Sequence, residues 1–206
     1  MHLDILSQEQ KELLPLISQF KREFYLVGGT AIALQIGHRR SIDFDLFKKT
    51  VFVSSKVLQK VETTKFPYIV TRKVREQLNL IINSVKITFF QYPYEIDAKL
   101  DLERVIKMPD LISLGAMKAF ALGRRSKWKD YVDLYFLLKN NYNLKEITNK
   151  SVAIYGQEFS EKLFRAQLAY HKDIDYSEEV EFLPGFAVDE KEIKAFLIDA
   201  ALGGFD

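Results

Sequence analysis

The chain has no cysteine among its 206 residues, which removes disulfides, thiolate zinc sites and cysteine nucleophiles and fits a reducing compartment. Net charge is equally scarce: 30 Lys+Arg against 28 Asp+Glu leave +2, so no whole-molecule field points to nucleic acid or membrane. No stretch reaches the ~18 consecutive apolar residues of a membrane span. The opening MHLDILSQEQKELLPL carries acids where a secretory signal needs a basic start and an unbroken apolar run, so none is expected. A cytoplasmic protein is the reading. Internal repeats and low-complexity segments are also missing. What is present is an ordinary core composition, 48% hydrophobic and 13% aromatic with 28% charged residues, enough for one domain or two small lobes.

Residues 4–20 place Leu6, Leu13, Leu14, Leu16, Ile17 and Phe20 at helical spacing, with Ser7 as a candidate cap. Phe24-Tyr25-Leu26-Val27 reads as a buried strand stopping at Gly28-Gly29-Thr30, followed by a helix over 31–36 that Gly37 ends. Residues 41–47 alternate, so a strand there puts Ile42, Phe44 and Leu46 on one face and Asp43 and Asp45 on the other. A helix over 51–64 and strands around 68–72, 78–82 and 85–90 follow, the last two joined by an Asn83-Ser84 turn. From about Asp101 the pattern becomes helical, around 111–122, 128–138, 144–149, 157–171 and 189–202, with 173–188 as an irregular connection. The expectation is an α+β chain: an α/β lobe over residues 1–100, then a helical lobe over 101–206.

The chemistry concentrates in two places. Asp43 and Asp45, two apart on a strand, project the same way and are suited to share a divalent cation, which relieves their mutual repulsion. An open two-carboxylate site suits Mg²⁺ that keeps waters and substrate phosphates. The alternative is a solvated strand face. Gly28-Gly29-Thr30 lies where backbone N–H groups and a helix start favour phosphate; a tight turn with Thr30 as N-cap is the alternative. Between turn and acids, Gly37-His38-Arg39-Arg40-Ser41 is a basic stretch whose arginines are either surface charges or anion contacts. In the helical half, Lys118 is the only charge in Leu111–Leu122, either snorkelling to water or reaching polyphosphate. Asp130 and Asp133 are one helical turn apart and suit pairing with Lys118 or Arg125, while Asp130 also fits a first-turn helix cap. Arg124, Arg125, Lys127 and Lys129 around Trp128 form the densest basic-aromatic patch, of a kind that can hold an RNA backbone and stack a base.

Residues 24–47, from Phe-Tyr-Leu-Val-Gly-Gly-Thr through His-Arg-Arg-Ser-Ile-Asp-Phe-Asp-Leu-Phe, resemble the signature of the AbiEii/AbiGii-type nucleotidyltransferases within the DNA polymerase β-like superfamily. Lys118, Arg125 and Lys129-Asp130-Tyr131-Val132-Asp133-Leu134 are similar to later segments of that family, so the resemblance spans roughly 20–140. It implies a nucleotidyltransferase lobe with a mixed sheet, a helical second lobe and a cleft that binds NTP with Mg²⁺ or Mn²⁺. It also implies a toxin paired with an antitoxin from an adjacent gene, with tRNA as the acceptor in some relatives. Carried onto this chain, Gly28, Gly29, Thr30, Arg39 and Ser41 bind nucleotide and Asp43 and Asp45 hold metal. Lys118 contacts the polyphosphate, and Asp130 is the acid of the second lobe. One departure stands out: the superfamily's third carboxylate on a later strand has no counterpart in Val85–Phe90.

Three functions follow. The first is metal-dependent transfer of an NMP from NTP to an RNA, such as tRNA, or to a protein. The second is a non-catalytic nucleotide- or partner-binding module of the same fold. The third is an RNA-binding protein using the basic-aromatic patch.

Overall fold

Ser7 begins the first long helix of the computed structural model, which describes residues 1–203. Its hydroxyl accepts from the Gln10 N–H at 3.2 Å, and the Gln10 side chain accepts from the Ser7 N–H at 3.0 Å, closing a capping box. This helix, α1 (Gln8–Ser18), follows a short 3₁₀ turn at Leu3–Ile5 and buries Leu13, Leu16 and Ile17. The chain divides into two compact units, Met1–Asp110 and a second from Leu111 onward.

In the first unit, β1 (Tyr25–Val27) runs directly into α2 (Gly28–Ile36), which Gly37 closes at φ +78°. Then come β2 (Phe44–Lys48), α3 (Ser54–Glu62), β3 (Tyr68–Val74), β4 (Gln77–Ile82) and β5 (Val85–Gln91). The five strands form one mixed sheet in the order β1-β2-β5-β4-β3, with β2 and β5 parallel and the other neighbours antiparallel. Asn83 and Ser84, at φ 48° and 62°, make the left-handed turn between β4 and β5. One sheet face is the core: Phe44, Leu46, Leu78, Leu80, Ile87 and Phe89 are fully buried. The Phe89 ring meets those of Phe20 and Phe24 edge-on at 4.8 and 5.3 Å. Ile42 does not join this face, because β2 begins only at Phe44 and leaves Ile42 exposed.

The expected switch to helix at Asp101 is corrected by a second hairpin. β6 (Leu100–Leu102) pairs antiparallel with β7 (Ile106–Met108) and belongs to the first unit, which therefore extends past residue 100. Its turn uses Glu103 and Arg104 at φ 47° and 65°, steadied by the Asp101 carboxylate accepting from the Arg104 N–H at 2.5 Å. Without Gly or Asn at those positions the turn has no ordinary sequence signal. The start of α2 is a second correction: the helix begins at Gly28, with Val27 at the cap position, so Thr30 lies within its first turn and is not the cap.

The second unit is helical: α4 (Leu111–Leu122), α5 (Trp128–Asn140), α6 (Leu144–Tyr155), α7 (Glu161–Ala169) and α8 (Glu190–Leu202). Asn143, Ser160 and Asp189 cap the last three through their side chains. α4 is apolar nearly all round and packs against α5, α6 and α7, so it is the central element of this unit. Among the described residues, no helix is long and apolar enough to cross a membrane.

Phe89 links the sheet through its ring contacts to Phe20 and Phe24, in the segment between α1 and β1, so Phe89→Ala should lower stability by about 3–5 kcal/mol in thermal or denaturant unfolding. A loss under 1 kcal/mol would contradict this description of the core.

Candidate active site

The pairing of β1 with β2 sets Val27 opposite Asp45, so the first residues of α2 emerge beside the acid pair. Gly28 has φ +74°, and a Cβ added there would overlap Oδ2 of Asp45 and lie 3.2 Å from its Cγ. At Gly29 an added Cβ would overlap Nη2 of Arg39 and lie 3.4 Å from the Ser41 hydroxyl. The two glycines are thus needed for close approach: a carboxylate lies over one and a guanidinium over the next. No side chain caps the helix start. The buried Thr30 hydroxyl bonds the Asp43 carbonyl and lies 2.8 Å from the Ser41 hydroxyl, tying the helix to the segment that delivers the acids.

His38 and Arg39 are buried, not surface charges. Arg39 donates from Nη1 to the Arg40 carbonyl at 2.8 Å, while Arg40 turns to the Asp4 carbonyl at 3.2 Å. Asp43 and Asp45 are half-buried, flanking the buried Phe44. On the neighbouring strand Thr88, not an acid, stands opposite Asp45. Among the described residues, no group of three or more His, Asp or Glu is placed to hold a metal ion. Two carboxylates nonetheless fit Mg²⁺, which binds through one or two carboxylates and takes its remaining oxygens from substrate phosphates and water.

The second unit contains the other predicted residues, and they are one another's partners. Lys118 Nζ lies 2.5 Å from Asp130 Oδ1 and 2.7 Å from Asp133 Oδ2, all three side chains at 5% exposure or less. Arg125 donates to Asp130 at 2.8 and 3.2 Å and is the member that solvent reaches. Lys118 therefore does not snorkel. Two cations and two anions balance, as a buried cluster must. Burial raises the Asp130 carboxyl, but the charges of Lys118 and Arg125 and their hydrogen bonds outweigh it, holding the group below the ordinary carboxylate range.

The basic-aromatic patch is corrected too. Lys127 and Lys129 both pair with Glu178, Arg124 stacks on Phe120 at 3.6 Å, and Trp128 is buried, with the Tyr176 ring 5.7 Å away. The two lysines and Trp128 bind the 173–188 connection to α5, where Lys127 and Asp175 also bridge. Sequence reasoning missed Glu178 as their partner because 51 residues separate it from Lys127.

Two solved structures share the fold: JHP933 from Helicobacter pylori, at TM-score 0.61 and 15% identity, covering 95% of this chain and 91% of that one, and MenT4, the nucleotidyltransferase toxin Rv2826c from Mycobacterium tuberculosis H37Rv, at TM-score 0.61 and 16% identity, covering 94% and 80%. An uncharacterized protein of Aquifex aeolicus (strain VF5), aq_aa25, is 32% identical over 157 residues, which are 69% of this chain and 72% of that protein. The family model for the nucleotidyl transferase AbiEii toxin of type IV toxin–antitoxin systems matches residues 15–202, and the chain belongs to that family. It is a nucleotidyltransferase enzyme of the toxin class, and the family implies an NTP substrate and an antitoxin partner.

Removing one partner from the buried cluster should be costly: Asp130→Asn is expected to lose about 3–5 kcal/mol. Because the Asp130 carboxyl is held low in the folded state, its contribution is complete above the unfolded value of about 3.9 and fades as pH falls through the lower folded value. The variant's deficit should therefore shrink in acid, which urea unfolding at pH 7 and below pH 4 would measure.

Proposed function

We propose that this enzyme transfers an NMP from an NTP to an RNA acceptor, as the toxin of a two-gene system acting in the cytoplasm. The carrying observation is the Asp45 carboxylate and Arg39 guanidinium lying over Gly28 and Gly29 at the start of α2. The N–H groups there, with the partial positive end of the helix, suit phosphate oxygens. Arg39 adds a planar pair of donors for the same oxygens, and its burial limits how far it must be ordered on binding. Thr30 and Ser41 hold the short link between helix and acids, so that cradle and carboxylates keep one geometry. Asp43 and Asp45 would hold Mg²⁺ or Mn²⁺, which supplies charge neutralisation to the triphosphate.

In the reaction an acceptor hydroxyl oxygen bonds the α-phosphorus, the bond to the α,β-bridging oxygen breaks, and pyrophosphate leaves. Positioning and electrostatics carry the step, with no covalent enzyme intermediate. Lys118 and Asp130 take the roles the resemblance implies, polyphosphate contact and second acid. Thr88 in place of a third acid favours the second reading, a module that binds nucleotide without turning it over.

Each α-labelled NTP, incubated with pure protein, Mg²⁺ or Mn²⁺ and total tRNA or cell extract, separates the readings. Label should move to RNA, and Asp45→Asn should lower the rate on the order of 10²-fold or more while thermal unfolding stays near wild type. Metal-dependent NTP binding without transfer supports the binding module instead, and label on protein identifies a protein acceptor.

A further inference from the structure

β3 is an edge of the sheet: β4 pairs with one side of it, and along the other side the backbone of Tyr68–Val74 has no hydrogen-bond partner among the described residues. Its seven residues offer about 20 Å of open ladder. Register sends its side chains to both faces. Tyr68, Val70 and Lys73 stand beside Ile82, Leu80 and Leu78 on the core side, and Ile69, Arg72 and Val74 beside Ile81, Asn79 and Gln77 on the other, with the register shifting at Thr71. The core stops at β4. Leu78, Leu80 and Ile82 are fully buried, whereas Val70 on the same side is 40% exposed and Ile69 on the opposite side 63%. An edge that leaves apolar side chains bare on both faces, next to an unpaired row of backbone groups, is a template for one more strand.

Charge indicates which strand. From Thr63 to Arg75 the chain carries four cations, Lys65, Arg72, Lys73 and Arg75, and no acid, and none of the four is in an ion pair among the described residues. An added strand lies in the plane of the sheet and sends its own side chains alternately to both faces, so it passes between Arg72 on one face and Lys73 on the other, with Arg75 at the turn. The same cations oppose a second copy. Antiparallel self-pairing about Thr71 would set Arg72 of the two copies diagonal to each other on one face, with no acid in β3 to offset them. Acids on the incoming strand turn that repulsion into attraction. Nucleic acid would meet the cations but does not extend a β-ladder.

We propose that the outer edge of β3 binds an extended acidic segment of a partner protein by strand addition. Main-chain hydrogen bonds along Tyr68–Val74 supply affinity, while apolar side chains of the partner meet Ile69, Val70 and Val74 and its acids meet Arg72 and Lys73. None of these residues belongs to the nucleotide or metal set, so the inference goes beyond the transferase reading and stands without it.

The test uses the full chain and a fluorescently labelled peptide of alternating Glu and Val, about ten residues long to cover the strand, with a Lys/Val peptide of equal length as its counterpart. Anisotropy follows binding, and hydrogen exchange read by mass spectrometry reports which backbone amides become protected. The Glu/Val peptide should bind, weaken as salt rises, and slow exchange in the fragment holding Tyr68–Val74, while the Lys/Val peptide should not bind. Arg72→Glu/Lys73→Glu, two exposed positions, should weaken the Glu/Val peptide roughly tenfold or more and admit the Lys/Val peptide, with thermal unfolding near wild type. Lys145→Glu/Lys162→Glu, exposed cations of the helical unit, should change neither. No binding of the Glu/Val peptide, binding without slower exchange in β3, or equal effects from the two double variants would overturn the proposal. So would wild-type self-association that Arg72→Glu/Lys73→Glu removes, or equal protection of β3 by a short single-stranded RNA, which assign the edge to a second copy or to nucleic acid.

Discussion

The antiparallel register of β1 on β2 is the constraint on which the candidate site depends. Val27 opposite Asp45 means that the residue leaving β1 is already beside the acid, and nothing with a side chain fits there in the observed geometry. The chain meets this with two consecutive glycines and starts a helix on them. Phosphate-favouring backbone and metal-suited carboxylates then come from segments that touch, linked by the Thr30 hydroxyl to the Asp43 carbonyl. The apolar alternation of β2 serves the same end: burying Phe44 and Leu46 turns Asp45 toward the other face, while Asp43, just before the strand, is placed by its carbonyl's bond to Thr30.

The helical unit solves a different problem. Its central helix carries a lysine where a continuous apolar surface would otherwise run, and two aspartates one turn apart on α5 receive it. Replacing such a cluster with hydrophobic residues is often neutral or stabilising, so stability alone does not account for its presence. Arg125, half in solvent and bound to Asp130, gives the cluster a contact with the exterior.

Much of this was legible in the chain. The run from Phe24 to Phe47 showed strand, glycine turn, helix and acid-bearing strand, because apolar periodicity and glycine positions there have single local causes. Ser7 as a cap and the Asn83-Ser84 turn were readable for the same reason. The β6–β7 hairpin was not, since Glu103 and Arg104 adopt left-handed conformations that their residue types do not advertise. Nor were the partners of Lys127 and Lys129, because Glu178 arrives from a segment without periodicity. The burial of Arg39 was hidden too: only the fold shows that its guanidinium fills the space above Gly29.

The central claim is that the glycine-opened start of α2, with Arg39 and the two aspartates, binds the triphosphate. Gly29→Ala tests it most directly, since Gly29 lies inside the helix with no positive φ, so alanine suits the backbone while its methyl collides with the Arg39 guanidinium. Calorimetric titration of Mg²⁺ with a non-hydrolysable NTP analogue should show clear binding to the wild-type protein and a loss on the order of tenfold or more in the variant, with thermal unfolding little changed. Equal affinity in the two proteins would contradict the claim and place the nucleotide elsewhere.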